Sequence, residues 1–438
     1  MLVFRNDFRP LICSIVCCLF LVSCSNMKMN SYVRNYEQNI EYGDIDNYNQ
    51  LNIDKRIRNL DLEQKLKVGV LLPLSGEAKV LGEALLNSAQ LSMFENKKDD
   101  ILLKVYDTKG TDFGAVDAIN KAVEDKVDAI IGPLFYAETK AVSEIARKNN
   151  IIIFSLSNEQ KLANTDSVFV VGSIVEQEID MLLNKLIRDG KTNFIAFLPN
   201  NSYGSTVNDV LKRKLKEKDA HLINTEFYTQ NTELFETKLL SLLRSYRVSD
   251  EFMREYEQKK SSSQITGEKV EYIAKEEDKI HPDVLFIVDG EKIAQNVGMV
   301  LYKNSKLAKN IQLVATSKID SAQNLEKNVY LDNLIFVGSN PDKYSDFSRK
   351  YQDMYALSPI KISTIIYDLV DNIDKYYVKK DDKYLVNKTK LLNPYGYDSI
   401  DGKFRFLPNG LVERNYYILQ LKDKQKTLIS DSEDFLNY

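Results

Sequence analysis

Short apolar runs alternate with amphipathic stretches along most of this chain, beginning near residue 67. The apolar runs occupy 67–72, 101–106, 128–131, 151–154, 167–171, 194–198, 221–227, 283–288, 311–315 and 334–337. Continuous apolar runs are typical of strands that are buried on both faces of a parallel sheet. The stretches between them have helical periodicity, among them 82–95, 114–126, 139–148, 176–189, 205–216 and 346–355. The pattern therefore predicts βαβ units and an α/β protein with doubly wound sheets.

The length of this region predicts two such sheets. About 370 residues follow the first apolar run, which exceeds what one sheet uses. We therefore expect two doubly wound parallel-sheet lobes with a cleft between them, joined by crossings near residues 172, 332 and 393. The first lobe is expected to hold about 66–172 and 332–393, and the second about 173–331 and 394–438. A stretch dense in Glu, Lys and Ser at 249–282 interrupts the pattern and predicts a solvated helical hairpin or a mobile insertion.

The amino terminus predicts a secretion signal. Arg5 and Arg9 precede an apolar run at 11–22 that is too short to span a bilayer, and Ser23-Cys24 follows it. This arrangement resembles the lipobox of bacterial lipoproteins, which implies cleavage after residue 23 and lipidation of Cys24. Ser25 then favours sorting to the outer membrane, facing the periplasm. The alternatives are an uncleaved anchor or an ordinary signal whose cysteine is incidental.

The segment that follows the signal is expected to carry the lipid and to act as a flexible tether. Residues 24–65 are rich in Asn, Tyr, Asp and Ser and have neither strand alternation nor a sustained helical period. The signal peptide 1–23, this tether and a two-lobed body at 66–438 are the predicted domains.

Composition excludes several classes of function. All four cysteines lie in the first 24 residues, so the body has no disulfide framework. A net charge of −4 gives no electrostatic basis for binding nucleic acid. The two histidines, His221 and His281, have no nucleophile or metal-ligand motif beside them, and phosphate loops and dinucleotide fingerprints are missing. We expect no enzyme activity, no metal site and no cofactor.

Several short motifs occur in an order that resembles a known superfamily. They are Val68-Gly69-Val70-Leu71-Leu72-Pro73-Leu74-Ser75-Gly76, Tyr106-Asp107-Thr108, Gly132-Pro133-Leu134-Phe135 and Asn201-Ser202-Tyr203-Gly204. Together they resemble the type I periplasmic binding proteins, whose best-known members bind leucine, isoleucine and valine. Asp107-Thr108-Lys109-Gly110-Thr111 and the closing motifs at 401–406 and 409–414 are most similar to the penicillin-binding protein activators, the LppC/LpoA-like lipoproteins.

The resemblance implies a ligand cleft at the carboxyl ends of the strands. The candidate cleft residues are Ser75, Gly76, Pro133, Leu134, Phe135, Ser155, Ser157, Tyr203 and Asp289. Amino-acid-binding relatives use hydroxyl groups beside the Gly-Pro turn, whereas Leu134 and Phe135 cannot donate hydrogen bonds. The alternative is that these are turn residues in a cleft that holds no amino acid.

The resemblance leads to two main hypotheses of function. The first is a non-enzymatic lipoprotein that binds a bifunctional penicillin-binding protein and stimulates peptidoglycan synthesis. The second is a solute-binding protein that delivers amino acids or similar small ligands to an ABC permease, and an enzyme acting on murein comes third. The two-domain activators carry a helical-repeat domain before the binding-protein module, where this chain has only the predicted tether.

Overall fold

The computed structural model describes residues 40–42 and 64–430, except 165–166, 230–233, 267–272, 322–324 and 382. The predicted signal peptide, Cys24 and most of the predicted tether lie outside these residues. Among the described helices, none combines the length and apolar composition needed to cross a bilayer.

The described elements follow the predicted alternation. The strands are β1 (Ile40–Tyr42), β2 (Leu66–Leu72), β3 (Ile101–Asp107), β4 (Ala129–Ile131), β5 (Ile152–Ser155), β6 (Val168–Val170), β7 (Asn193–Pro199), β8 (His221–Tyr228), β9 (Arg247–Val248), β10 (Lys279–Ile280), β11 (Val284–Ile287), β12 (Gln312–Ala315), β13 (Ile335–Gly338), β14 (Tyr377–Lys380), β15 (Lys383–Val386), β16 (Tyr397–Ser399), β17 (Gly402–Phe406), β18 (Val412–Lys422) and β19 (Gln425–Ser430). The helices are α1 (Lys79–Glu95), α2 (Asp112–Glu124), α3 (Tyr136–Lys148), α4 (Val175–Arg188), α5 (Ser202–Glu217), α6 (Leu234–Leu243), α7 (Asp250–Thr266), α8 (Glu291–Lys303), α9 (Pro341–Tyr355), α10 (Ser363–Asn372) and α11 (Lys388–Leu391).

The first lobe is a parallel sheet in the order β1-β3-β2-β4-β5-β6. Helices α1 and α10 pack on one face through leucine, isoleucine and valine side chains, and α2 and α3 cover the other face. With both faces covered, the strands are buried almost throughout, as their continuous apolar runs predicted. The edge strand β1 comes from the segment predicted to be a tether.

The second lobe has a mixed sheet. Strands β8-β7-β11-β12-β13 are parallel, and β18 adds to β13 in the antiparallel direction together with β17, β16 and β19. Helices α4 and α5 cover one face, and α6 and α8 cover the other. The prediction of an α/β protein with two doubly wound lobes is confirmed, and the antiparallel strands after residue 396 are an addition that the apolar runs did not predict.

The chain passes between the lobes three times. The first crossing joins β6 to α4, around residue 172. The second crossing follows β13. Since β13 pairs with β12 in the second sheet, this crossing lies after residue 338 and not near residue 332. The third lies within β18 rather than near 393, because Phe404, Phe406 and Val412 belong to the first-lobe core while Tyr416 and Leu419 belong to the second.

The charged insertion is anchored at its base. Strands β9 and β10 pair and close it, and Phe252 of α7 is buried. Most other described residues of α7 are exposed, which fits the predicted solvated character. The second helix of the predicted hairpin has no counterpart among the described residues, and 267–272 lie outside them.

Candidate functional site

A cleft of about 1010 Å³ separates the two lobes. Its first wall comes from the loops after β4 and β5, and its second wall from the start of α4, the start of α5 and residues 316–318. Lys361 and Asp401 lie at its back, beside the crossings. These walls are loops at the carboxyl ends of parallel strands, which is where doubly wound sheets present their sites.

The first-lobe wall has an apolar part and a polar part, and residues 157–161 after β5 form the polar part. The apolar part consists of Leu134, Phe135 and Leu156, together with Leu81, Ile362 and Ile365. Phe135 is the residue before α3, and its N–H donates to the carboxylate of Glu138 at 2.9 Å. Glu138 is fully buried, and burial raises the pKa of its carboxyl group. The backbone N–H of Phe135, at the start of α3, is therefore already bonded to Glu138 of the same chain.

Ser75 does not line the cleft, because it turns toward the end of β3. Its hydroxyl donates to Asp107 at 2.6 Å, and the N–H groups of Leu74 and Ser75 donate to the same carboxylate. Gly76 is exposed beside the carbonyl of Lys109, with a φ of 74°. Asp107 therefore caps the turn that follows β2.

Ser155 ends β5 and Ser157 follows it, and only Ser157 lines the cleft. Ser155 is fully buried, and its hydroxyl lies 2.8 Å from that of Thr139. Pro133 is also buried, and its carbonyl accepts from the N–H of Leu156. Ser157 lines the cleft, where its hydroxyl oxygen accepts from the N–H of Glu159 at 3.2 Å.

Tyr203 and Asp289 lie on the second-lobe side. Tyr203 lines the cleft from the first turn of α5, and burial raises the pKa of its hydroxyl to about 12. Asp289 is buried below this wall, where it accepts from the hydroxyl of Tyr228 and from Lys318 Nζ at 2.6 Å. Lys318 also lies 5.6 Å from the centre of the Tyr203 ring, so these residues form one polar cluster.

The back of the cleft holds an ion network that joins the lobes. Lys361, just before α10 in the first lobe, places Nζ 2.9 Å from Asp320 of the second lobe and 2.9 Å from Asp401, next to β17. The hydroxyl of Ser339 also contacts this ammonium group, and Lys426 of β19 places its own ammonium 2.9 Å from Asp320.

Electrostatics keep this network ionised. Burial alone would lower the pKa of the Lys361 ammonium, but Asp320 and Asp401 outweigh it and raise that pKa. Burial alone would raise the pKa of Asp320 and of Asp401, but the ammonium of Lys361 outweighs it at both carboxyls, with help from Lys426 at Asp320. Both aspartates therefore have pKa values below their ordinary range.

Two other buried carboxyls lie near the crossings. Glu178 of α4 accepts from the hydroxyl and the N–H of Ser317, at 2.7 and 2.8 Å, and burial raises its pKa. Asp368 accepts from the N–H of Ile400 at 3.1 Å, and burial raises its pKa well above the ordinary value. Within the described ranges, no group of three or more potential metal ligands occurs.

The structure therefore brings Leu134, Phe135, Ser157 and Tyr203 together on the cleft, and places the other candidates behind or beside it. Sequence reasoning missed Lys361, Glu178 and Asp320. A lone charged residue carries no periodic signal, so only the topology reveals that these three converge. His221 begins β8, and His281 contacts Glu276 at 3.0 Å on the surface.

The comparisons with known proteins agree with this architecture. A family model described as periplasmic binding protein matches residues 65–245. A branched chain amino acid ABC transporter periplasmic ligand-binding protein from Burkholderia xenovorans superposes with a TM-score of 0.59 at 13% identity, over 85% of this chain and 97% of that protein. This chain has the type I periplasmic-binding-protein fold. The resemblance predicted from the sequence is confirmed.

Other similar proteins belong to the activator group. The LpoA C-domain from Haemophilus influenzae, described as a regulator of PBP1A, superposes with a TM-score of 0.52 at 15% identity, over 83% of this chain and 100% of that domain. Penicillin-binding protein activator LpoA from Glaesserella parasuis is 23% identical over 183 residues, which is 41% of this chain and 30% of LpoA.

An uncharacterized protein from Rickettsia prowazekii is 29% identical over 225 residues. The match covers 51% of this chain and 53% of that protein. The chain thus matches about half of this relative and less than a third of LpoA. The family and its structural neighbours are binding proteins or regulators rather than enzymes.

Proposed function

We propose that this protein is a non-enzymatic lipoprotein that binds a bifunctional penicillin-binding protein and stimulates its synthesis of peptidoglycan. One observation carries the choice: the principal charged groups at the back of the cleft are paired with other groups of the same chain. Lys361 is held by Asp320 and Asp401, and Glu178 is held by Ser317. A free amino acid would have to break such pairs to engage these charges.

The apolar part of the first-lobe wall supports the same choice. An amino acid presents an ammonium and a carboxylate, and each charged group needs partners once it leaves water. Leu134 and Phe135 supply none, Ser155 is buried against Thr139, and Ser157 already accepts one backbone N–H. The sequence similarity to LpoA from Glaesserella parasuis adds independent support.

The proposed location follows from the proposed anchor. Lipidation at Cys24 would hold the protein in the outer membrane, with its body facing the periplasm. The domains of the partner synthase face the same compartment. Tethering raises the effective concentration of two partners, so a weak interface on the body is sufficient for stimulation.

A second candidate function is delivery of a small solute to an ABC permease. It is favoured by the size of the cleft, about 1010 Å³, and by Ser157 and Tyr203, which both face it. The structural similarity to the Burkholderia xenovorans ligand-binding protein shows the fold alone and does not separate the two functions.

A thermal-shift experiment separates them. A ligand at a hundredfold excess over its dissociation constant stabilises the folded state by about 2.7 kcal/mol. We expect no shift of the melting temperature with any of the standard amino acids, because the charged groups at the back of the cleft, Lys361, Asp401 and Glu178, are already bonded within the chain. A shift that Ser157→Ala abolishes, and that Ser143→Ala on the outer surface of α3 leaves intact, would support transport instead.

A further inference from the structure

A second pocket, of about 570 Å³, lies on the far side of the ion network from the cleft. Asp320, Ser339 and Lys426 form its floor, and the helix α9 forms one side. Asp320 and Ser339 contact the ammonium of Lys361, which lines the cleft. The two cavities therefore share a wall, and we call this second cavity the rear pocket.

One face of α9 supplies most of the hydrogen-bonding groups of the rear pocket. Tyr344, Ser345, Ser348 and Gln352 line it at helical spacing, while Phe347 and Tyr351 of α9 pack in the core. Ser358 and Glu326 line it from other segments. None of the hydroxyl, amide and carboxylate groups of these six lining side chains has a hydrogen-bond partner elsewhere in the part of the chain that the structure describes.

The strong positive charges of the rear pocket are compensated. Lys426 is paired with Asp320, and Arg349 is paired with Asp346 and Asp353. What remains for a ligand is a set of hydroxyls, one amide and one carboxylate. Pro341, Pro359 and the ring of Tyr344 add apolar surface beside them. This combination suits a neutral ligand that has many hydroxyl groups, an amide and apolar C–H faces.

We propose that the rear pocket binds a saccharide that contains N-acetylated amino sugars. Hydroxyl groups and the Gln352 amide both donate and accept, so they match sugar hydroxyls and an acetamido group. A volume of about 570 Å³ lies within the range of small-molecule sites. The cleft contrasts with it, because Lys361, Glu178 and Asp401 there are bonded to other groups of the chain. The proposal goes beyond the proposed function and does not require the synthase.

Calorimetric titration of the full lipoprotein with tri-N-acetylchitotriose tests this proposal. We expect saturable binding that the double variant Ser348→Leu/Gln352→Leu weakens by about tenfold or more, since it removes two sets of hydrogen bonds and narrows the pocket. Both residues lie on a helix face away from the core, and the single variant Ser345→Leu serves as a second test at the same wall. Cellotriose, which lacks acetamido groups, should bind more weakly.

Two variants serve as matched controls. Gln258→Leu on the exposed face of α7 and Thr206→Leu in the cleft should leave binding of the trisaccharide unchanged. The proposal is overturned if the intact protein gives no binding, if the rear-pocket variants bind as the wild type does, or if Thr206→Leu abolishes binding. Equal binding of cellotriose overturns the assignment of an N-acetylated sugar. Since no synthase is present, none of these results depends on the proposed activator function.

Discussion

Lys361→Met should lower the free energy of unfolding by about 3 kcal/mol, because it leaves the buried carboxylate of Asp401 without a cation. Asp401 is 5% exposed, and Lys361 Nζ lies 2.9 Å from it. Asp320 keeps Lys426 as a partner, which places the cost at the lower end of the range for a broken buried pair. Urea unfolding at pH 7, followed by circular dichroism, measures this change. Lys148→Met, at an exposed ion pair on α3, should change stability little.

The pH dependence of this difference tests its electrostatic origin. In the wild type, the lowered pKa values of Asp320 and Asp401 stabilise the fold above an unfolded pKa of about 4, and this is lost as pH falls through the folded values. In Lys361→Met, burial raises the pKa of Asp401 without an opposing ammonium group. Lowering the pH therefore reduces the free energy of unfolding of that variant less than that of the wild type. The gap between the two proteins should shrink as pH falls from 7 toward 4. An equal gap at both pH values would contradict the interpretation.

Cys24→Ala should abolish lipidation of the protein completely. The cysteine thiol is the only group at the predicted cleavage site that can be alkylated, so the variant should remain an unprocessed and unlipidated precursor. A single acyl chain gives an association constant of only about 10⁴ M⁻¹, whereas several chains make attachment effectively permanent. The wild type should therefore be held by its acyl chains, whereas the variant carries none.

Detergent phase partitioning and mass determination measure this effect. The wild type should enter the detergent phase with the added mass of its acyl chains, and the variant should not carry that mass. Cys18→Ala, inside the predicted signal peptide, is the matched control and should be processed normally. Unchanged partitioning and mass of Cys24→Ala would show that the anchor lies elsewhere.

The fold could be predicted well from the sequence because each buried parallel strand leaves a continuous apolar run. Runs such as 101–106 and 283–288 match β3 and β11 within about a residue. The late strands β17 and β18 were missed because their polar and apolar residues are mixed, as expected for strands at the crossing between two lobes. The third crossing was consequently expected too early in the chain.

The site was less predictable, because sequence motifs identify loops but not the direction of a side chain. Ser75 lies just after a buried strand and Ser155 at the end of one. The hydroxyl of Ser75 is nevertheless hydrogen-bonded to Asp107, and that of Ser155 to Thr139. Lys361 lies in no recognisable motif, and its partners are 41 and 40 residues away along the chain. Only the packing of α10 against the crossings brings these charges together.

Synthesis of glycan strands by a bifunctional penicillin-binding protein of the same organism, with and without the purified lipoprotein, is the most direct test of the proposed function. The proposal predicts that the lipoprotein crosslinks to the synthase in intact cells and increases its rate of polymerisation in the purified system. A boiled sample of the lipoprotein should have no effect. An unchanged polymerisation rate, together with recovery of a permease rather than a synthase after crosslinking, would contradict the activator function.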